Sequence, residues 1–498
     1  MRIGNCTWTS LVFAISFVTA SILTTTAWAD NISKSVVKLH VTKRGPDYSR
    51  PWTKSAPTPS VGSGSIIEGN RILTNAHVVQ FATQILVQPD QSTDRYPAKL
   101  IGIAPGLDLA LLEVTDKTFA KGRKPLEFDA TIPHIKDSLN VYGYPMGGEQ
   151  LSITQGIVSR IEYQASAHSD SLLMIQVDAA LNPGNSGGPA IIDGKIAGVV
   201  CSKIEQADNI GYVIATEEVL RFLEDIKDGK YDGKPDIPFG SPLQYTENRV
   251  LRKRLKIPEG MGGLMINEPV YVRPELPVKT WDVITHIGDY PIDKQGMISI
   301  RDDLKLNCTY VIPKLVKDGK VPLTIWRDGK SMKVEIPTTT KNFQVLQPLG
   351  NHYPRYYMHG PLVLMQADQD IAQILLQKMG PTLLIIRSPW ALRLGDSKTF
   401  PEEELVMIGL RFYPHAMSQG YESMMPFSIV SHINDTKVKN LRHAVKLLKH
   451  AKGEFLTLQL AGYNTKVVFP REEAAKLTEE ILEAEGIRNQ CSPDLRDV

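Results

Sequence analysis

The 498-residue chain is 42% hydrophobic and 22% charged, enough apolar content for about two to four globular domains and too long for a small disulfide-stapled scaffold. Its 56 Lys and Arg against 54 Asp and Glu leave a formal net charge of +2, which excludes a field strong enough to make nucleic acid the main partner. With 37 Gly, 33 Pro and no dominant low-complexity tract, the chain is neither collagen-like, coiled-coil nor disordered.

Residues 1–29 read as an export leader: Arg2 supplies the positive n-region, 11–23 is apolar apart from small hydroxyl residues, and Ala27-Trp28-Ala29 is an A-x-A cleavage site. The apolar run is short of the ~20 residues a spanning helix needs, so a cleaved leader is favoured over a retained anchor and no stable membrane span is expected afterwards. The mature chain then starts at Asp30 with 55 basic against 54 acidic residues, nearly neutral. Of the four cysteines Cys6 leaves with the leader, and Cys201, Cys308 and Cys491 are odd in number and widely spaced, so no disulfide framework can be read. No C-x-x-C pair or H-E-x-x-H motif is present, so neither metal nor other cofactor is expected.

From residue 35 to about 200, short β-branched runs alternate with Gly, Pro, Asn and Asp turns. They predict strands at 36–41, 64–67, 85–88, 109–114, 139–144, 156–161, 172–177 and 195–200, an all-β region. A helix is predicted over 216–226, with Val219, Phe222, Leu223 and Ile226 on one face, closing a domain of residues 30–227. The Gly/Pro/Asp-rich stretch 228–239 reads as a linker. Residues 240–340 form a smaller unit ending in a hairpin, 321–326 and 331–336 around Asp328-Gly329. After a second linker, 341–354, the region 355–470 repeats the pattern loosely: a strand at 429–433, a turn at Asn434-Asp435, a helix at 441–450, strands at 455–460 and 466–469. Residues 471–498 carry an amphipathic helix, 472–487, with Leu477, Ile481 and Ala484 on the face expected to pack on its neighbour.

Three motifs stand in the β-rich region in the order His, Asp, Ser: Thr74-Asn75-Ala76-His77-Val78-Val79, Asp108-Leu109-Ala110-Leu111-Leu112 and Gly184-Asn185-Ser186-Gly187-Gly188-Pro189. A hydroxyl is a poor nucleophile until an imidazole takes its proton, and the imidazole needs a carboxylate to hold its tautomer. Singly, each motif has a blander reading: a core histidine, a turn aspartate, a glycine turn. Together they name His77, Asp108 and Ser186 as a catalytic set. The glycines let the backbone N–H groups of Gly184 and Ser186 converge on an oxyanion. An α/β-hydrolase would run Ser, Asp, His instead. Neutral His77 is required, so activity is expected to fall as pH drops through roughly 6 to 7.

On these residues the chain resembles the trypsin-fold Deg/HtrA serine endopeptidases, and the segment 209–215 (NIGYVIA) is similar to theirs after the nucleophile. The segments 141–148 and 152–161 look most like the branch holding plant organellar Deg proteases and their bacterial relatives. The resemblance implies a mainly β fold: a double six-stranded β-barrel protease domain followed by two α+β PDZ-like domains. It assigns His77 as general base, Asp108 as its orienting carboxylate and Ser186 as nucleophile. Asn185 stands where digestive proteases carry an Asp that pairs with a new N-terminus, so ordering of loops, rather than cleavage, is the expected switch. Ala180, six residues before the nucleophile, replaces the acidic residue of a trypsin-type pocket. With the apolar Leu181 beside it, and with Ile214 either lining the pocket or belonging simply to the barrel core, it predicts a small or medium aliphatic P1.

The unit 240–340 resembles a PDZ domain. Met261, Gly262, Gly263 and Leu264 look like its carboxylate-binding loop, with a peptide C-terminus added as a strand along the segment starting at Leu264, and Trp281 stands where PDZ domains commonly have Gly. A structural docking module without peptide binding is the alternative. The segment 428–441 looks like a PDZ stretch leading to its groove helix, but no clear carboxylate loop lies near 356–365, so assembly or autoregulation is expected there. The basic run 442–452 reads as a solvated helix face.

These readings add up to an exported, periplasmic or secreted, ATP-independent serine endopeptidase acting on unfolded or damaged polypeptides in protein quality control, since no nucleotide-binding loop is present. The rivals are a chaperone or holdase cage and a PDZ-based peptide-sensing adaptor. The family implies a homo-oligomer, trimeric or built from trimers. Tyr48 and Trp52, in a Pro-rich loop, are candidates for subunit contact or for ordinary surface.

Overall fold

The computed structural model describes residues 32–165, 171–203, 211–238, 243–267, 276–409, 412–421, 424, 426–462 and 465–498. The leader, and Asn209 and Ile210 of the segment after the nucleophile, lie outside the described residues. Two compact units emerge. The first holds the described residues up to Lys43, Pro57–Gly233 and Ile300–Tyr310; the second holds Arg44–Ala56, Lys234–Ser299 and Val311–Val498.

In the first unit, β1 (Val36–Lys43), β2 (Thr58–Ile67), β3 (Arg71–Thr74), β4 (Ala82–Pro89), β5 (Tyr96–Ala104) and β6 (Leu109–Val114) close a barrel in the order β1-β2-β3-β6-β5-β4. A second closed barrel, in the order β10-β11-β12-β9-β8-β7, is built from β7 (Ser138–Gly143), β8 (Ser152–Ala165), β9 (Ser171–Val177), β10 (Pro189–Ile192), β11 (Lys195–Lys203) and β12 (Gly211–Ala215). The sequence reading identifies eight of these twelve as strands from their apolar runs; β3 and β10 are too short, and β5 too interrupted by Pro97 and polar residues, to stand out, while β12 enters that reading only as part of the segment 209–215.

Side chains alternate across a strand, so the continuous apolar run of β6 needs two buried faces. It has them. Ala110 and Leu112 point into the core of the first barrel with Val37, Leu39 and Ile72. Leu109 and Leu111 point the other way, into a seam that also holds Leu172, Ile191, Ile196 and Val199 of the second barrel. That seam locks the barrels into one body and sets the loops of β3, β6 and β10 beside each other. The predicted helix forms over Thr216–Asp225 and buries Val219 and Phe222 in the same seam. The stretch Ile300–Tyr310 belongs to this unit as well: Tyr310 donates its hydroxyl to Glu217 (2.7 Å), and the Arg301 guanidinium donates to the carbonyl of Ile132 (2.8 Å).

The second unit contains two sheets. The first runs Gln244–Tyr245, Leu264–Met265, Val283–Ile287, Lys320–Arg327, Lys330–Pro337, with Tyr290–Pro291 paired to the third of these. Asp328 and Gly329 turn its last hairpin with positive φ (50° and 86°), the type I′ geometry expected of Asp-Gly. Trp281 also takes a positive φ, 76°, a conformation that glycine adopts more readily; this indole is half exposed. The second sheet is ordered Tyr356–His359, Leu362–Gln366, Val406–Ile408, Ile429–Ile433, Phe455–Leu460, Lys466–Pro470, and the C-terminal helix Arg471–Ala484 buries Leu477 and Ile481 in its core. The longest helix among the described residues, Gln369–Ile385, is absent from the sequence reading because Gly380-Pro381 and a kink at Met379 break its signal.

Tyr48 and Trp52 pack into this second unit. Trp52 meets Tyr356 edge-on at 6.1 Å, and the Tyr48 hydroxyl donates to Asp368 Oδ1 (3.2 Å), whose carboxylate also caps the helix Gln369–Ile385. They are therefore partly buried against the core of their own chain rather than ordinary surface. Burial, reinforced by the charge of Asp370, raises the Asp368 carboxyl to about 6, and its Oδ2 is without a hydrogen-bond partner among the described residues. A raised acid binds protons in the folded state that the unfolded chain has already released, so its contribution to stability falls as pH rises from about 4 to about 6. Unfolding midpoints of the parent and Asp368→Asn should accordingly diverge with rising pH, the variant gaining on the parent between about pH 4 and 6 and running parallel to it above that. Profiles parallel throughout would refute the assignment.

Candidate active site

His77 sits in a one-turn helix, Ala76–Val79, directly after β3, and Asp108 immediately precedes β6, the strand hydrogen-bonded to β3. Strand pairing thus makes neighbours of residues far apart in sequence. Asp108 takes φ 55°, a left-handed conformation that Asp tolerates better than most residues, and Asn75 steadies it by donating Nδ2–H to its carbonyl (2.9 Å). The carboxylate so presented accepts three hydrogen bonds from one residue. His77 Nδ1 lies 2.8 Å from Oδ2 and 3.0 Å from Oδ1, and the His77 backbone N–H donates to Oδ1 at 2.9 Å. Asp108 is mostly buried while the imidazole is 41% exposed, leaving its far edge open to a substrate. The Lys43 ammonium donates to the His77 carbonyl; burial pushes it below its ordinary range and the Asp108 charge pulls the other way.

Ser186 lies in the turn before β10. Its hydroxyl donates to the carbonyl of Cys201 (3.3 Å). Burial and then the Asp108 charge push the Cys201 thiol well above its ordinary range, so it stays a neutral wall of the site. The nucleophile turn is held by backbone bonds from Asn185 N–H to Asn182, Gly188 N–H to Asn185 and Gly187 N–H to Val200. Gly184 (φ 102°) and Gly187 (φ 86°) occupy conformations closed to most residues, and a Cβ on either would strike backbone: Tyr144 O and Met146 N at Gly184, Ser63 O at Gly187. Asn185 is buried and its Oδ1 has no partner among the described residues, a place where a charged Asp would be costly without a cation.

One residue with no role in the sequence reading joins the halves. Ser63 on β2 is fully buried; its backbone N–H donates to Ser186 O (2.9 Å), its carbonyl accepts from the Thr74 hydroxyl (2.7 Å), and its Oγ donates to Gly184 O (2.7 Å) while accepting from Tyr144 N–H (2.8 Å). It ties the histidine strand to the nucleophile turn. A small serine in a Gly-Ser repeat carries no periodicity or motif signal, so only its partners reveal it.

Of the pocket residues, Ala180 is exposed and Leu181 is buried against the bare backbone of Gly211 on β12. Ile214 is fully buried in the seam cluster, paired with Val199 and Met174.

The sheet of the second unit corrects one expectation. Leu264–Met265 is an interior strand, flanked by Gln244–Tyr245 on one side and Val283–Ile284 on the other, so no peptide strand can be added along it. The loop before it is also committed: Met261 N–H donates to Pro258, Gly263 N–H to Asp293, and Arg252 donates to the Met261 carbonyl. Met261, Gly262, Gly263 and Leu264 are therefore sheet interior and its approach, not an open carboxylate loop. Among the described residues the open edge belongs to Gln244–Tyr245, both exposed.

Comparison with known proteins matches residues 62–199 to the trypsin-like peptidase domain and 345–494 to the PDZ domain. The chain is 32% identical over 467 residues to Protease Do-like 2, chloroplastic, of Arabidopsis thaliana, covering 93% of this chain and 75% of that one. It is 34% identical over 476 residues to the mitochondrial Protease Do-like 4 of the same plant, covering 93% and 86%. Among solved structures it resembles the HtrA-type protease AlgW with tripeptide in fold, with a TM-score of 0.50 at 21% identity over 63% of this chain and 96% of that one.

Proposed function

Because the chain belongs to the Deg/HtrA family of Do-like serine proteases, with a trypsin-like peptidase domain and PDZ domains, we propose that it is an exported, ATP-independent endopeptidase that cleaves unfolded or damaged polypeptides after small or medium aliphatic residues. The observation that carries the mechanism is the His77–Asp108 pair, 2.8 Å apart, just after β3 and just before β6, with Ser63 linking Thr74 of β3 to the Ser186 turn.

Asp108 fixes the proton of His77 on Nδ1, which leaves Nε2 as the base. In catalysis the Ser186 hydroxyl leaves the Cys201 carbonyl, gives its proton to Nε2 and attacks the scissile carbonyl. The resulting oxyanion is received by the N–H groups of Gly184 and Ser186, and the imidazolium returns its proton to the leaving amine. Water then repeats the sequence on the acyl-enzyme. The exposed Ala180 and apolar Leu181 leave no charge for a basic P1. A C-terminal peptide would join the open edge at Gln244–Tyr245. Assembly into trimers or multiples of them and a periplasmic or secreted location complete the proposal.

The test is covalent. A fluorophosphonate added to the chain 30–498 should attach to Ser186, with fluoride leaving, and stop casein cleavage in proportion to labelling. Proteolysis that continues after stoichiometric labelling, or a label mapped to another residue, would reject the assignment.

A further inference from the structure

We propose that Lys38 is a positioning residue for acyl transfer: its ammonium holds the 145–149 turn in the place from which that turn aims the Gly184 N–H. The inference rests on reading Gly184 as an oxyanion donor.

A peptide group is planar, so the direction of the Pro183 carbonyl dictates the opposite direction of the Gly184 N–H. Glycine with φ 102° is free to let that plane turn over, so something else must hold it. The holder is Met146, whose backbone N–H donates to Pro183 O at 2.7 Å. Met146 lies in a tight turn closed by Gly148 N–H on Pro145 O (3.0 Å), with Gly147 at φ 86° in the third position, as a type II turn requires. The Met146 side chain is 68% exposed and gives the turn little packing of its own.

The anchorage comes from β1. Lys38 is only 4% exposed, yet its Nζ donates to Gly148 O (2.9 Å) and to Glu149 Oε2 (2.9 Å) at the far end of the same turn. A lysine buried this deeply is rare unless its donors are engaged. In the β1–β2 ladder Lys38 stands directly opposite Ser63, so both side chains leave the same face of the first barrel. Ser63 Oγ holds Gly184 O, one side of the donor residue, while Lys38, through the turn and Met146, holds Pro183 O on the other. One cross-strand pair thus constrains both peptide planes around Gly184.

The test compares the parent 30–498 with Lys38→Met, Lys38→Arg, Met146→Pro and Ser186→Ala on a peptide anilide with an aliphatic P1. Two competitive ligands are added: a peptide trifluoromethyl ketone, whose hemiketal oxygen mimics the oxyanion, and the matching peptide alcohol, which does not. Proline suits the second position of the turn and removes the N–H that holds Pro183, while the side chain it replaces is 68% exposed. Lys38→Met and Met146→Pro are expected to lower kcat by about 10- to 100-fold with KM changed less than about threefold, below the loss seen when an oxyanion donor is deleted outright. Trifluoromethyl-ketone affinity should fall by the same factor, alcohol affinity should stay constant, Lys38→Arg should recover most of kcat, and the Lys38→Met/Met146→Pro pair should lose no more than either alone. Should Lys38→Met fail to fold, Lys38→Gln takes its place. A folded Lys38 variant with unchanged kcat, or one whose loss lies in KM and alcohol affinity, overturns the proposal. Parent activity that is absent, or that survives Ser186→Ala, overturns the serine-protease reading beneath it.

Discussion

Alanine at position 186 should lower casein and peptide turnover by on the order of 10⁴-fold or more while leaving the fold intact. The two halves of this expectation have separate causes. Activity goes because the neighbouring thiol does not take over: Cys201, whose carbonyl accepts from the Ser186 hydroxyl, is buried with its pKa pushed up, and so remains an unreactive thiol. The fold stays because Ser186 Oγ makes one long hydrogen bond, 3.3 Å to Cys201 O, worth about 1 kcal/mol or less, whereas the turn is held by the backbone bonds of residues 182–188. Single-turnover rates and melting curves of parent and variant measure both. A variant keeping more than about a hundredth of the parental rate would mean that the hydrolysis does not pass through Ser186. Adding His77→Ala to it should cost almost nothing further, because nucleophile and base act as a unit.

Asp108→Asn should be nearly as damaging, with kcat down about 10⁴-fold and KM little changed, even though the two side chains are isosteric. The carboxylate accepts from His77 Nδ1 through both oxygens and from the His77 backbone N–H through Oδ1. An amide offers one accepting oxygen. If that oxygen stays on the backbone N–H, the amide N–H₂ faces Nδ1, and the proton moves to Nε2, where the base must be bare. Steady-state rates, with the ring tautomer followed by imidazole ¹⁵N shifts, check this. A ring still protonated at Nδ1 in an inactive variant would show that the tautomer argument is wrong.

Much of this site was legible before any coordinates. His77, Asp108 and Ser186 announce themselves because catalysis needs particular chemical groups, and Gly184 and Gly187 because tight backbone needs residues without Cβ. The strands of the two barrels show through apolar runs such as 109–112, whose two-sided burial leaves no polar alternation. Other features had no local trace. Ser63 and Lys38 look like filler and charge within strands; they acquire meaning from being opposite each other across β1 and β2. The helix Gln369–Ile385 hides behind its own Gly-Pro. The glycines at 262–263 were real punctuation, but whether they opened an edge or fed an interior strand depended on Gln244–Tyr245 pairing alongside.

The division has a physical basis. Chain chemistry, turn preference and hydrophobic period act over a few residues, so the sequence by itself determined the β-rich class, the candidate catalytic groups and the glycines around Ser186. Which strand lies beside which, and so which edge is open, which serine becomes a clamp, and that Tyr48 and Trp52 bury themselves among residues some three hundred positions away, is settled by contacts between distant segments. Those depend on the packing of the whole chain, and only the tertiary structure decided them.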